Sequence, residues 1–318
     1  MRAIVVKGQE LSLDDVPDPQ PREGELVVRV RAAGVNRADL LQRRGRYPPP
    51  PGESEIMGLE IAGEVETAAP PFKPGDRVMA LLAGGGYAEK ARVPAAQAMP
   101  IPEGLSFEEA AAVPEAFLTA WLNVFMLAGL KPGETVIVHA GGSGVGTATL
   151  QLCRGIAEII LATASPDKHE ACLALGATHV LARADVPHRL AETIQAAAGR
   201  GADVILDTVG GAYLEANVKA LGLHGRMCCI STLSGASGTL DLGALLGKRL
   251  TLLGSTVRSR TAAQKARLVR DFTERALPRF SKGDLEPVLA RSFPLAEAEE
   301  AHAVLTAGKA VGKIVLIP

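Results

Sequence analysis

The run Thr135-Val136-Ile137-Val138-His139-Ala140-Gly141-Gly142-Ser143-Gly144-Val145-Gly146 takes a short apolar strand straight into a glycine-dense turn and then a helix. Glycines allow a tight turn and close approach of the backbone, and the unpaired N–H groups and dipole of the helix start favour a negative charge. This is how a βαβ unit holds a dinucleotide pyrophosphate. In G-x-G-x-x-G register Gly141 and Gly146 fit and Ser143 replaces the middle glycine. The N–H groups of Ser143, Gly144 and Val145 are expected at the phosphates. On this run alone, an ordinary strand-to-helix turn stands as the alternative.

The next strand, Glu158 to Ala164, ends at Ser165, 165 − 146 = 19 residues past Gly146, where an NAD-selective protein places an Asp or Glu on the ribose 2′-hydroxyl. Here the chain offers Ser165 and then Lys168. A hydroxyl and a cation suit a 2′-phosphate that a carboxylate would repel, so NADPH is expected over NADH. Arg183, just after His179-Val180-Leu181-Ala182, is a further candidate for that phosphate or for the adenine face. The plainer reading has Ser165-Pro166-Asp167 capping the next helix and Lys168 solvated in its first turn.

At 318 residues the chain has room for two cores. A net charge of −1 leaves no electrostatic footprint for nucleic acid or an anionic membrane. No apolar stretch approaches the ~20 residues of a membrane span, and Met1-Arg2-Ala3-Ile4-Val5-Val6-Lys7 turns polar too soon for a signal peptide, so a cytoplasmic location is expected. The four cysteines, Cys153, Cys172, Cys228 and Cys229, lack C-x-x-C spacing and read as free buried thiols. None can supply a metal site to the N-terminal half.

Residues 1 to about 118 read as strands broken by Pro and Gly: Arg2 to Val6, Glu25 to Ala33, Ile61 to Thr67, Arg77 to Leu81 and Ala88 to Val93. After Gly133, strands at Thr135 to His139, Ile159 to Thr163, His179 to Leu181, Val204 to Asp207, Arg226 to Ser231 and Leu250 to Ser255 alternate with helices, as in a doubly wound parallel sheet. The tail carries amphipathic helices around Ala263 to Arg275 and Leu295 to Ala307. A closing strand, Gly312 to Leu316, is expected to return to the N-terminal domain.

Several segments in order resemble the zinc-free quinone oxidoreductases of the medium-chain dehydrogenase/reductase superfamily, the zeta-crystallin-like proteins, and most of all their tumour-suppressor-inducible branch. They are Val35-Asn36-Arg37-Ala38-Asp39-Leu40-Leu41-Gln42-Arg43-Arg44-Gly45-Arg46-Tyr47-Pro48, Gly58-Leu59-Glu60, Ala111-Ala112-Val113-Pro114-Glu115-Ala116-Phe117-Leu118-Thr119-Ala120, the glycine turn, Asp207-Thr208-Val209-Gly210-Gly211 and Val311-Gly312-Lys313-Ile314-Val315. The resemblance implies an α/β chain with a GroES-like β-barrel catalytic domain (1–118 and 258–318), a Rossmann NADP-binding domain (119–257), and a cofactor in the cleft between them. Zinc-dependent relatives carry a Cys and a His where this chain has Asn36 and Leu59. Neither replacement supplies the N or S donor that catalytic zinc requires, so no metal is expected.

By the same resemblance, Asn36 and Tyr47 lie beside the nicotinamide ribose and the substrate, and Thr119 lies near the carboxamide. Ile230, Ser231, Val257 and Lys313 join the cofactor contacts. Asn36, Tyr47 and Thr119 are the candidate catalytic residues, with Tyr47 placed to bond the developing oxyanion or supply a proton. Read without the resemblance, Asn36 is a turn residue tolerant of left-handed backbone, Tyr47 an anchor of the proline loop, and Thr119 a helix hydroxyl bonded to its own backbone. His139, Asp39 and Glu60 read as packing or hydrogen-bond partners. Ile230, Ser231 and Thr256-Val257-Arg258 are expected to act mainly through backbone.

The leading expectation is metal-free, NADPH-dependent reduction of quinones, which positioning against a nicotinamide can largely accomplish. The rival is an enoyl or enone reductase using Tyr47 as proton donor, with Arg43, Arg44 and Arg46 available to an acyl-carrier phosphate. A third reading is an NADPH-binding sensor without turnover. The strand Leu250 to Ser255 would leave an apolar sheet edge, a liability for a monomer, and the resemblance implies that this edge pairs across a twofold axis in a homodimer.

Overall fold

The computed structural model describes all 318 residues and divides them into two units, Met1–Leu118 with Val257–Pro318, and Thr119–Thr256. Val257 falls in the first unit, where the sequence reading put it in the second. Arg258 next to it is rooted in the first unit by hydrogen bonds to the Ala83 and Tyr47 carbonyls.

The first unit begins with strands β1 (Arg2–Lys7), β2 (Glu10–Asp15), β3 (Glu25–Val35), β4 (Glu60–Thr67), β5 (Arg77–Leu81), β6 (Lys90–Pro94) and β7 (Ala98–Pro100). The second carries β8 (Thr135–Val138), β9 (Ile159–Ala164), β10 (His179–Ala182), β11 (Ala202–Asp207), β12 (Leu221–Cys229) and β13 (Thr251–Gly254). The chain then returns to the first unit for β14 (Leu289–Pro294) and β15 (Lys313–Ile317).

In the first unit β14-β15-β3-β4-β5-β7 form one sheet, and β6 pairs along β3. β3 organises it, because its eleven residues serve β4, β6 and β15, and its ladder with β4 shifts register twice, after Val27 and after Val30. Such irregularities bend a strand and raise its twist, as a closing sheet requires. Leu26, Val28, Val30, Ile61, Val65, Val78, Tyr87, Val93, Phe293 and Leu316 fill the enclosed core. The closing strand does pair with β3, with Val315 opposite Gly34. β2, β7 and β14 were not anticipated: β7 has only three residues and β14 shows no alternation, whereas β2 does alternate, with Leu11 and Leu13 between polar residues, and was passed over.

The second unit is a six-stranded, all-parallel sheet in the order β10-β9-β8-β11-β12-β13. Alternate residues of its strands feed two cores. Val136, Val138, Ile160, Ala162, Val204 and Leu206 face one side, and Ile137, Leu161, Ile205 and Met227 face the other. The strand order reverses at β8, which opens a crevice at the carboxyl ends of the strands. β13 is the outer edge, and β12 ends at Cys229, two residues before its expected end. No helix is long and apolar enough to cross a membrane. Cys153, Cys172 and Cys228 are buried and Cys229 is partly so, all four as free thiols.

Candidate active site

The glycine turn sits at the reversal of strand order, leading from β8 into the helix Gly144–Cys153. Ser143, the apparent fault in the fingerprint, is its N-cap: the Ser143 hydroxyl accepts from the Gly146 N–H at 3.1 Å. The N–H groups of Gly144 and Val145 precede the helical ladder and remain for an outside acceptor. Gly146 is required by packing, since a Cβ there would stand 2.3 Å from the Ala140 carbonyl oxygen. A Cβ on Gly142 would meet the Lys168 Cδ at 2.7 Å, so Gly142 and the Lys168 stem lie against one another.

Beneath the turn, His139 is fully buried. Its Nε2 bonds Asn217 Oδ1 at 2.7 Å and its Nδ1 meets Thr163 Oγ1 at 3.0 Å, while burial lowers its pKa. Asn217 Nδ2 donates to Asp207, whose other oxygen accepts from the Val209 and Gly210 N–H groups. The ends of β8, β9 and β11 are thus tied together by a buried polar chain in which His139 packs and bonds.

Ser165, Lys168 and Arg183 gather at the neighbouring strand ends. Lys168 is 8% exposed, which corrects the solvated alternative. Ser165 is the N-cap residue of the short turn Pro166–Lys168, yet its side chain makes no capping bond. Its hydroxyl instead bonds Asp167, and holds that carboxyl below its ordinary range, with Lys168 and Arg183 adding. Arg183 is exposed, and its carbonyl accepts from the Tyr213 hydroxyl at 2.7 Å. Ile230 and Ser231 follow the end of β12; Ile230 N–H donates to Asp207 O, and Ser231 O accepts from the Cys229 thiol. Thr119 is buried, and its carbonyl accepts from Asn123 Nδ2 at 2.8 Å.

In the first unit, Asn36 is extended (φ −129°, ψ 156°) and caps the helix Arg37–Arg43, in place of the left-handed turn considered above. Its amide is fixed at both ends: Nδ2 donates to Glu60 Oε1 at 2.9 Å, and Oδ1 accepts from Lys313 Nζ at 2.5 Å. Lys313 also pairs with Glu60 at 2.6 Å and donates to the Val35 carbonyl at 3.0 Å. Lys313 was expected among the cofactor contacts; its three donors are committed within the barrel, so it acts as the anchor of Asn36. A second cluster holds Asp39, where burial pushes the carboxyl up to about 6 although the Asn36 N–H and the Tyr87 hydroxyl donate to it.

Tyr47 is held by Arg258, a residue whose side chain the sequence reading passed over. The guanidinium lies 5.0 Å from the Tyr47 ring centre and donates to Tyr47 O, Ala83 O and Gln42 Oε1 at 2.8, 2.8 and 2.7 Å. Burial, with the Glu115 carboxyl adding, raises the Tyr47 phenol. The signal for Arg258 was an arginine just after an apolar strand, two residues before Arg260; for Glu115, it was a lone acid in the apolar run from Ala111 to Ala120. Val257 is buried in this unit, its carbonyl accepting from Arg260 N–H.

A doubly wound sheet with a glycine turn at its switch point, joined in one chain to a GroES-like barrel, defines a two-domain dehydrogenase or reductase. Residues 22–103 match the alcohol dehydrogenase GroES-like domain family and residues 175–316 the family described as zinc-binding dehydrogenase. Human synaptic vesicle membrane protein VAT-1 homolog is 30% identical over 100% of this chain and 86% of its own length. The quinone oxidoreductase of Thermus thermophilus, solved also as its complex with NADPH, is 37% identical with a TM-score of 0.84 over 100% of both chains. CurK enoyl reductase is 26% identical with a TM-score of 0.86 over 99% of this chain and 98% of its own. The chain belongs to the medium-chain dehydrogenase/reductase superfamily and is an oxidoreductase of that family.

The zinc of the family description does not fit the donor set here. Leu59 is a buried hydrocarbon, and the Asn36 amide is already bonded to Glu60 and Lys313. No group of three or more His, Cys, Asp or Glu side chains is arranged to hold a metal ion.

Proposed function

We propose that this protein reduces quinones with a hydride from NADPH. The observation that carries the reading is the donor set at Asn36 and Leu59. A carbonyl that needs Lewis-acid polarisation finds no zinc ligands there, whereas a quinone gains aromaticity on reduction and needs chiefly to be positioned. The likeness to a quinone oxidoreductase solved with NADPH supports it. NADPH supplies the hydride when bound. Gly144 and Val145 N–H groups at the capped helix start would hold its pyrophosphate, together with Gly141, Ser143 and Gly146, which shape the turn. Ser165, Lys168 and Arg183 would take its 2′-phosphate, with the Asp167 carboxylate beside them. Ile230, Ser231, Val257 and Thr119 would line the nicotinamide side. Tyr47, set by Arg258, and Asn36, set by Glu60 and Lys313, would attend the acceptor.

A second reading, reduction of an enone or enoyl thioester, is favoured by the likeness to CurK enoyl reductase. The deciding experiment follows NADPH oxidation with ortho- and para-quinones, an aliphatic enone and an enoyl thioester, with NADH and chelator controls. Quinone turnover that prefers NADPH and ignores chelator is expected. Turnover confined to enones or thioesters replaces the first reading with the second, and tight NADPH binding without turnover makes the protein a cofactor-binding sensor. A homodimer through β13 is proposed as well, because this edge strand has Leu242 and Leu246 nearby in sequence at 61% and 76% exposure. A monomer in equilibrium sedimentation at micromolar concentration removes it.

A further inference from the structure

Tyr213 touches both the strand that leads into the glycine turn and the residue that follows β10. It closes the short turn Gly211–Tyr213, whose approach is set by the Asp207 carboxylate through the Val209 and Gly210 N–H groups. Asn217 stands four residues on, one helical turn away, and both side chains meet His139. Asn217 Oδ1 bonds the His139 Nε2 at 2.7 Å, and the Tyr213 ring stands edge-on to the imidazole with ring centres 4.9 Å apart. The Tyr213 hydroxyl donates to the Arg183 carbonyl at 2.7 Å. Arg183 is tied on its other side as well, its N–H donating at 2.8 Å to the carbonyl of Ala164, the residue before Ser165. Both main-chain groups of Arg183 are therefore fixed, while its side chain is exposed and its guanidinium makes no hydrogen bond or ion pair within the chain.

We propose that Tyr213 is a positioning residue for the choice of NADPH over NADH: its hydroxyl fixes the main chain from which the Arg183 guanidinium reaches the 2′-phosphate, and its ring braces that arginine against His139. This rests on the assignment of Ser165, Lys168 and Arg183 to the 2′-phosphate above. Burial raises the Tyr213 phenol, with Arg183 opposing and Asp207 adding, so the hydroxyl keeps its proton and is the donor in its bond to Arg183. An arginine on a loose loop must order both its backbone and its side chain when an anion binds. With N–H and carbonyl already held by Ala164 and Tyr213, Arg183 has only its side-chain torsions left to fix. That advantage is specific to one cofactor. NADPH presents a phosphate to which a guanidinium makes charge-assisted bonds, whereas NADH presents a hydroxyl at the same ribose position and gains little from a fixed arginine. A tyrosine that merely satisfied a loop carbonyl would affect the two cofactors alike.

The test measures the dissociation constants of NADPH and NADH by nicotinamide fluorescence for wild type, Tyr213→Phe, Arg183→Ala and the double variant. Phenylalanine keeps a ring against His139 and removes only the hydroxyl. Arg183→Ala is expected to weaken NADPH about tenfold, and Tyr213→Phe about three- to tenfold, with NADH changed less than about twofold in both. In the double variant NADPH should bind within about twofold of Arg183→Ala, because the hydroxyl acts only through that arginine. A crystal structure of wild type with adenosine 2′,5′-bisphosphate is expected to show the Arg183 guanidinium on the 2′-phosphate and the bond from Tyr213 to the Arg183 carbonyl intact, and it decides the matter should Tyr213→Phe fail to fold. Three results overturn the proposal alone when Arg183→Ala does weaken NADPH: Tyr213→Phe binding NADPH like wild type, Tyr213→Phe weakening NADH as much as NADPH, or losses that multiply in the double variant. A crystal structure with the guanidinium on the phosphate and the tyrosine bond broken does the same. NADPH binding left unchanged by both Arg183→Ala and Lys168→Met removes the 2′-phosphate assignment, and the proposal with it.

Discussion

Replacing Lys313 with Met tests whether the first unit is held by a buried charge pair. The methionine keeps the stem but removes an ammonium that lies 2.6 Å from Glu60 Oε1, with side chains 6% and 0% exposed. At an effective dielectric near 20 and this separation the gross attraction is about 6 kcal/mol, and desolvation of two ions offsets much of it. Removal of one partner is the more costly event. Glu60 would keep only the Asn36 Nδ2 and Glu115 N–H donors, and an uncompensated buried carboxylate costs about 3–5 kcal/mol. Lys313→Met is therefore expected to lose about 3–5 kcal/mol in guanidinium unfolding followed by circular dichroism. The double variant with Glu60→Gln should lose at least about 2 kcal/mol less than the sum of the two single losses, because neither charge is then stranded. Raising the salt concentration should leave the deficit nearly unchanged, since a pair this buried is poorly screened. A single-variant loss below about 1 kcal/mol, or losses additive to within about 0.5 kcal/mol, would refute the reasoning.

Gly146→Ala should cost about 1–3 kcal/mol and weaken NADPH binding at least about tenfold, because its Cβ would meet backbone at 2.3 Å. Gly247→Ala, with nothing within 4 Å of the new Cβ, should do neither, and equal losses in the two would discount the packing argument. Lys168→Met should lower the NADPH-to-NADH ratio of kcat/KM about 10- to 100-fold, while Asp167→Asn should raise it; an unchanged ratio in both would remove this corner from the 2′-phosphate. His302 is held down to about 4, by burial first, with Arg43 adding and Glu299 opposing. The unfolded histidine takes a proton near 6.5, so its stabilising effect is complete above that pH and is lost as the pH falls to about 4. Wild type should lose about 3 kcal/mol more than His302→Gln between pH 7 and pH 4; parallel stability curves would show that the folded histidine takes its proton normally.

The legible parts of this chain were local. The apolar strand before Gly141 and the glycines after it announced the strand-turn-helix unit that the structure has at the reversal of strand order. The regular alternation of apolar strands and helices after Gly133 read as a parallel sheet. The failures were also specific. β14 was invisible because a strand with one buried residue at the end of a sheet carries no periodic pattern. The plainer alternative for Lys168, a solvated side chain, could be discarded only in the fold, where its stem lies against Gly142. Lys313 came as a cofactor contact, when Glu60, more than 250 positions away, takes its charge.

The sequence by itself determined which backbone can turn tightly and which segments bury one face or two, since these follow from side-chain size and period; that Asn36 and Leu59 stand where relatives carry zinc ligands came from the resemblance. Only the tertiary structure decided that Arg258 holds Tyr47 and that Asn36 is locked between Glu60 and Lys313. Charge states and hydrogen-bond partners in a folded interior depend on groups brought together from distant strands and on the water they displace, and neither is written in any local stretch of chain.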